Sequence, residues 1–330
     1  MIDLAASNPS RLITFDYHPL RSQLDDLRVE AQAFAESSRS KATVRAYASD
    51  LADFTAWTQA HDLRALPASA ETVALYVADL ARRVKPATIT RRLAAISISH
   101  RLAGLETPTA HAIVRSVVKG IRRELGVAQT QKRAISIPDL RAMVSTLGES
   151  TIDVRDRALL LLGFASAMRR SEIVGLDVAD VAFASEGMVI TLRRSKTNQE
   201  GALETIAVPY GSDRRTCPVR SVMAWLEKAA ITSGALFRFV DRHGKVRDAR
   251  TQDRVVAEIV KRTAAKAGFG KIADFGGHSL RAGFATSAAK AGASERSIMR
   301  QTRHKSVEIA RRYIRAGSQW DDHAATGIGL

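Results

Sequence analysis

Gly277-His-Ser-Leu-Arg-Ala-Gly283 and Arg303-His-Lys-Ser-Val-Glu-Ile-Ala-Arg-Arg-Tyr-Ile-Arg315 carry the reading of this chain. His278 and Arg281 are three apart, which puts both on one face of a helix. Arg281 precedes His304 by 23 residues, and His304 precedes Tyr313 by nine. Two basic clusters lie upstream. Ala167-Met-Arg-Arg-Ser-Glu-Ile173 closes a long apolar run, and Arg193-Arg-Ser-Lys-Thr197 sits in a polar stretch. Taken singly, these residues have ordinary explanations: Arg169 as an ion-pair partner of Glu172, Lys196 as a solvated loop lysine, His278 and His304 as hydrogen-bonded structural histidines, Tyr313 as packing beside Ile309. Six such elements in this order and at these spacings point to a shared chemical site.

Composition narrows what the site acts on. The chain has 330 residues, 50 Lys and Arg against 34 Asp and Glu, and a formal net charge of +16. An excess of that size suits a protein that lies along a polyanion, because each phosphate it neutralises releases a counterion. Hydrophobic residues make up 45%, enough to bury real cores, so a basic disordered tail is excluded. The single cysteine, Cys217, rules out an internal disulfide, a CxxC redox pair and a Cys-rich zinc module. The N-terminal twenty residues show no secretory signal. The apolar run 158–165 is far too short to span a bilayer. GxxxxGK[ST], GxGxxG and HExxH are all missing, so nucleotide-binding and zinc-protease readings have no support.

Periodicity divides the chain in two. Residues 1–20 read as a loose leader and 21–126 as helices only. Lys41 to Ala60 carries the stripe Val44, Tyr47, Leu51, Phe54 and Trp57, with Ser38 or Ser40 as N-cap. A second helix starts near Ser69 and places Val73, Leu75, Tyr76 and Leu80. A third begins at Pro86, with Ile89, Leu93 and Ile96 on its buried side. A fourth runs from about Ala110 to Leu125 with Ile113, Val117, Ile121 and Leu125 every fourth residue. Residues 127–134 read as a linker. Within 135–316, Ser136 or the Ser-Ile-Pro138 run caps a helix, and Ile152 to Met168 is a helix apolar nearly all round. Met188 to Leu192 and Ile206 to Val208 read as a hairpin around a basic loop. Helices return over 217–231 and 253–267, and 317–330 forms a tail.

In order and spacing, Arg169, Lys196, His278-x-x-Arg281, His304 and Tyr313 resemble the signature of the tyrosine recombinases, the phage integrase family. The likeness extends to the first domain, where 40–57 resembles the family's core-binding helix and 85–124 the Cre/Xer branch. The resemblance implies a mainly α fold with a small antiparallel sheet: an all-α, SAM-like core-binding domain and an α+β catalytic domain, forming a C-shaped clamp on DNA. It implies a site-specific recombinase that cuts and rejoins duplex DNA through a 3′-phosphotyrosyl intermediate and a Holliday junction, with no cofactor, metal or ATP. Tyr313 would be the nucleophile, Arg169 and Arg281 the phosphate clamp, and Lys196 the acid. His278 would assist proton transfer, His304 would donate a hydrogen bond to the phosphate, and Glu172 would orient the site.

The chemistry needs these residue types. A phenol can attack phosphorus and keep the bond energy as an ester. Guanidiniums grip non-bridging oxygens two at a time. A Lys or His can protonate the leaving 5′ oxygen. Two departures from the family pattern stand out. Arg303 occupies the place of a glycine before the second histidine, and Ala167-Met168 replaces a Gly-Leu pair.

For DNA contact the first domain offers Lys41, Arg45, Lys85, Thr88, Arg91 and Arg92. The second offers Arg303 and Lys305, within a run of seven basic residues from 296 to 315 opposed only by Glu295 and Glu308. The expected partner is duplex DNA with a short inverted-repeat core site, bound by a homotetramer that is monomeric when free. The expected location is cytoplasmic and nucleoid-associated, without membrane contact. Each tail, with Trp320, Ile328 and Leu330 as anchors, would dock on the neighbouring protomer. A type IB topoisomerase-like relaxing enzyme and a catalytically silent DNA-binding regulator are the competing readings.

Overall fold

The computed structural model describes residues 40–126, 132–193, 204–304 and 306–317, with residues 24, 27 and 29–31 before them, and not the side chains of Lys41, Ile309, Arg312 or residues 315–317. The chain divides into two compact units, Met1–Gln129 and Thr130–Leu330. Lys196, Lys305, residues 127–131 of the expected linker and the tail beyond residue 317 lie outside the described residues. No helix among the described residues is long and apolar enough to cross a membrane.

Among the described residues the first unit holds α1 (Lys41–Ala60), α2 (Ala70–Ala81), α3 (Pro86–Leu102) and α4 (Ala112–Leu125), with residues 24, 27 and 29–31 also helical. Local chemistry starts them as expected. Ser40 and Ser69 accept hydrogen bonds from Thr43 N and Thr72 N, and Pro86 occupies the first turn of α3. Phe54, Val73, Tyr76, Val77, Leu80, Ile89, Ile96 and Val114 form the core. Two expectations are corrected. Leu75 is 53% exposed, because it lies two residues from Val73 and so on the far side of α2. On α4 the buried residue is Val114, while Ile113 and Leu125 are exposed. A strict four-residue spacing drifts by about 40° per step on a helix of 3.6 residues per turn, so both ends of that stripe leave the core.

The second unit opens with α5 (Ile137–Ser145), started by a capping box between Ser136 and Asp139. Helix α6 (Thr151–Ala165) is the centre of the core, with Ala158, Leu159, Leu160 and Leu162 fully buried. It stops short of the expected Met168, because Ala167 has φ 50, a left-handed conformation no helix continues through. Next come the short α7 (Arg170–Gly175) and an antiparallel sheet in the order β1 (Val181–Phe183), β2 (Gly187–Leu192), β3 (Glu204–Pro209). Helix α8 (Pro218–Lys228) places Trp225, whose Nε1 donates to Leu236 O at 2.8 Å in the core. A second hairpin, β4 (Arg238–Val240) and β5 (Val246–Arg250), precedes α9 (Asp253–Lys266), α10 (Gly277–Lys290), α11 (Glu295–Thr302) and α12 (Val307–Gly317).

Strands β1, β4 and β5 were not expected. Each is short, and Val-Arg-Asp-Ala-Arg in β5 has no apolar alternation. The usable signal was the turn. Asp241 accepts from the backbone of His243 and Lys245, and Gly244 takes φ 80.

Helix α10 packs where a glycine allows it. A Cβ on Gly283 would lie 2.1 Å from Ile135 O. Gly283→Ala should therefore cost about 1–3 kcal/mol, read as a lower urea midpoint at unchanged slope. Gly120→Ala on α4, where a Cβ meets nothing within 4 Å, should instead gain up to about 1 kcal/mol. Equal midpoints for Gly283→Ala and wild type would show that Ile135 yields freely.

Candidate active site

The left-handed turn at Ala167 ends α6 and redirects the chain so that Arg169 stands at the N-cap of α7. Glu172, one turn later, accepts the backbone N–H of Arg169 at 2.8 Å and its Nη1 at 2.6 Å. Helix α10 brings in Arg281, which is 5% exposed and donates from Nη1 to Ala167 O at 2.7 Å. Its Nη2 is buried with no hydrogen-bond partner among the described residues. His278, one turn earlier on α10, is exposed.

Helix α11 ends at Thr302, and Arg303 follows in a second left-handed turn with φ 54. The Arg303 side chain is 8% exposed, and its Nη2 donates to Glu172 Oε2 at 2.6 Å. Its Nε lies 3.8 Å from Glu204 Oε2. The turn hands His304 to the same site. The hydroxyl of Thr302 donates to Ile298 O at 2.8 Å, so toward His304 Nδ1, at 2.9 Å, it acts as acceptor. The proton of a neutral His304 is thereby held on Nδ1, leaving Nε2 as an acceptor. The ring of Tyr313, half-buried on α12, stacks on His304 with centroids 5.6 Å apart and planes at 15°.

Charge dominates this site. Arg169, Arg281 and Arg303 converge around the carboxylate of Glu172, with Glu204 3.8 Å from Arg303 on one side, so positive charge is in excess. Burial alone would raise the Glu172 carboxyl, but Arg303 and then Arg169 outweigh it and hold it below its usual range. Arg281 is pulled down to about 10 by burial and by Arg169 and Arg303, and remains a cation at neutral pH. His304 is pushed down to about 4 by burial and then by Arg281, Arg169 and Arg303, so it is neutral at pH 7. Among the described residues no cluster of His, Cys, Asp or Glu is arranged to hold a metal ion. The arrangement suits binding of a compact anion beside a phenol, in a place where water is mostly excluded.

Of the expected site residues, the structure brings together Arg169, Glu172, Arg281, His304 and Tyr313, and adds three that the reading assigned no role here: Ala167, Thr302 and Gln301. Gln301 Nε2 donates to Ala165 O at 3.0 Å and Ala207 O at 3.3 Å, which ties α11 to the end of α6 and to β3. The partners of Gln301 and Ala167 lie far along the chain, out of reach of a local reading, whereas Thr302 acts on its near neighbours Ile298 and His304.

Three of the residues expected to contact DNA hold carboxylates within the protein, Arg91 among them with its side chain 50% exposed. Arg303 faces Glu172 inside the site rather than solvent. In the first unit, Arg91 holds Asp50 through two hydrogen bonds of 2.8 Å. Arg92, whose side chain is 13% exposed, is paired with Asp53 and donates to Tyr76 Oη at 2.8 Å. Asp50 is itself 3% exposed, so moving these guanidiniums to a phosphate would strand a buried carboxylate. Both arginines tie α3 to α1. Arg45 and Lys85 are exposed, and Thr88 is half-buried.

The Phage integrase family matches residues 134–319, and the Phage integrase, N-terminal SAM-like domain matches residues 31–107. An integrase/recombinase xerD homolog of Selenomonas ruminantium is 40% identical over 302 residues, covering 90% of this chain and 88% of the relative. The recombinase cre of Escherichia phage P1 is 27% identical over 315 residues, covering 90% and 89%. In fold, the chain resembles the XerH site-specific recombinase bound to its difH substrate in a pre-cleavage complex. The TM-score is 0.65 at 13% identity, over 95% of each chain. A lambda integrase dimer bound to a COC' core site gives 0.60 at 14% identity, covering 93% of this chain and 84% of that one. With a buried arginine cluster, a stacked His304–Tyr313 pair and matches over both units, the chain belongs to the phage integrase family of tyrosine site-specific recombinases.

Proposed function

We propose that the protein cuts and rejoins duplex DNA at a short inverted-repeat core site, with Tyr313 as nucleophile. The observation that carries this is Arg281. Its Nη2 is a buried donor without a partner among the described residues, which is expensive unless an anion completes it. A phosphodiester oxygen held between Arg169 and Arg281 would do so. The excess of positive charge around Glu172 complements the pentacovalent state, which carries two negative charges where the diester carries one.

The steps follow from the residues. Tyr313 Oη attacks phosphorus and gives up its proton, with His278 assisting the transfer. The bond from phosphorus to the 5′ oxygen breaks, and that oxygen takes a proton from Lys196. The phosphorus is left esterified to Tyr313 and to the 3′ oxygen. A second 5′-hydroxyl reverses the steps on a new strand, passing through a Holliday junction with no net loss of bonds. Neutral His304 presents Nε2 as an acceptor, so its expected role as donor to the phosphate requires that Nε2 first gain a proton. A bound phosphoryl anion favours this by offsetting the field of the three arginines.

Arg45, Lys85 and Thr88 on the first unit, with Lys41 and Lys305, are the DNA contacts of this reading. The working form is a homotetramer on two synapsed sites, in the cytoplasm. The Cre and Xer relatives over nearly the whole chain favour recombination over simple relaxation, and the full set of catalytic residue types disfavours a silent regulator. The domain limits of this reading are 21–126 for core binding and 135–316 for catalysis, with the tail 317–330 reaching the next protomer.

Because arginines supply the positive charge that Mg²⁺ supplies in many phosphoryl-transfer sites, cleavage should proceed unchanged in EDTA. The test uses a supercoiled plasmid carrying the DNA that flanks this chain's coding sequence. A detergent-stable protein–DNA adduct should form at a specific site, through Tyr313, with EDTA present. Loss of the adduct in EDTA and its return with Mg²⁺ would overturn the mechanism.

A further inference from the structure

At the position of Arg303 the family resemblance leads one to expect glycine, and the geometry shows why. Its φ of 54 is a conformation that side chains with a Cβ rarely adopt. This chain nevertheless places there a long cation, turns it inward and buries it, 8% exposed, against Glu172. Glu172 is thereby gripped from two sides. Oε1 takes Nη1 of Arg169 at 2.6 Å, while Oε2 takes Nη2 of Arg303 at 2.6 Å and the backbone N–H of Arg169 at 2.8 Å. Arg303 also lies 3.8 Å from Glu204, the first residue of β3.

The grip has two physical consequences. Arg169 by itself occupies both oxygens of Glu172, and Arg303 adds a second donor to Oε2 from a different element, which resists rotation of the carboxylate and of the Arg169 guanidinium bound to it. Without Arg303 the site would keep Arg169 and Arg281 with Glu172 and Glu204, one positive charge fewer than it has. Both consequences bear on the reacting phosphate without any contact between it and Arg303.

We infer that Arg303 is a positioning residue for strand cleavage, fixing Arg169 through Glu172 and deepening the positive field behind the phosphate. The inference rests on the reading of the site as a phosphotyrosyl-forming centre. In its terms, a substitution at a position usually filled by glycine has become part of the catalytic support.

The experiment compares wild type with Arg303→Gly, Arg303→Asn and Arg303→Lys, each alone and with Glu172→Gln. It measures single-turnover adduct formation on the mapped cleavage site, equilibrium DNA binding and Tm. Glycine and asparagine both tolerate the left-handed turn, so the fold should survive. Arg303→Gly and Arg303→Asn should keep Tm at or above wild type and bind DNA within about two-fold, yet form adduct about 10- to 100-fold more slowly. Lysine should recover part of the rate by restoring charge without the planar fork. In the Glu172→Gln background, removing Arg303 should add less than about two-fold, because the pair acts as one unit.

Wild-type rates for the Gly and Asn variants would overturn the inference, as would losses fully additive with Glu172→Gln. A fall in Tm and DNA binding matching the fall in rate would reduce Arg303 to a structural ion pair. If wild type itself forms no adduct at Tyr313, the reading of the site fails, and the inference with it.

Discussion

Tyr313→Phe should leave DNA binding and Tm near wild type and abolish the covalent adduct. The substitution removes one oxygen and keeps the ring that stacks on His304 with centroids 5.6 Å apart, so packing in the site is preserved. What is lost is the phenolic oxygen that, in the proposed reaction, bonds to phosphorus. Deleting a nucleophile in comparable machinery lowers the rate on the order of 10⁴-fold or more. Detergent gels of protein on labelled site DNA read this directly. The other described tyrosines are poor substitutes. Tyr76 donates to Asp53 at 2.7 Å in the first unit, and Tyr210 lies beneath Arg220 at 5.0 Å. Tyr47 is half-buried on α1. Adduct formation at the wild-type rate by the Phe variant would move the nucleophile elsewhere and end this assignment.

The parts of the site visible in the sequence are those set by short-range geometry. His278 and Arg281 share a helical face because three residues separate them. Ser136 and Asp139 make a capping box for the same reason. Arg169 with Glu172 is likewise local, an N-cap and the third residue after it. What could not be read depends on where distant segments meet. Arg303 looks like one more surface cation in a basic run until Glu172, 131 residues earlier, is brought beside it. Arg91 and Arg92 look equally available until α1 presents Asp50 and Asp53. The two places where the chain departs from the family's glycines, Ala167 and Arg303, are both left-handed. The anomaly was visible in the sequence, but its meaning required backbone angles. Ala167 then gains a purpose, since its turned carbonyl accepts Nη1 of Arg281.

Arg281→Met should slow adduct formation about 10²–10³-fold while leaving Tm at or above wild type. The rate loss is the scale expected when one preorganised donor to a developing anion is removed. The stability effect follows from the sign of the Arg281 shift. Its folded value of about 10 lies below the ordinary arginine range because burial, Arg169 and Arg303 disfavour the cation. A group depressed in this way destabilises the folded state wherever it is charged, hence at all pH values below about 10, and the penalty fades as pH rises through the depressed value toward the ordinary arginine range. A shift of that size is worth on the order of 3 kcal/mol. Methionine has similar length and no charge, so it relieves the penalty and fills most of the same space. Against this stands the lost hydrogen bond to Ala167 O, about 1.5–3 kcal/mol for a charged donor. The two terms nearly cancel at neutral pH, with the balance toward stability. A protein that keeps a crowded cation at no benefit to its own fold does so for the anion it binds. A Tm that drops by many degrees together with the rate would instead make Arg281 a structural arginine, and the phosphate clamp would have to be sought elsewhere.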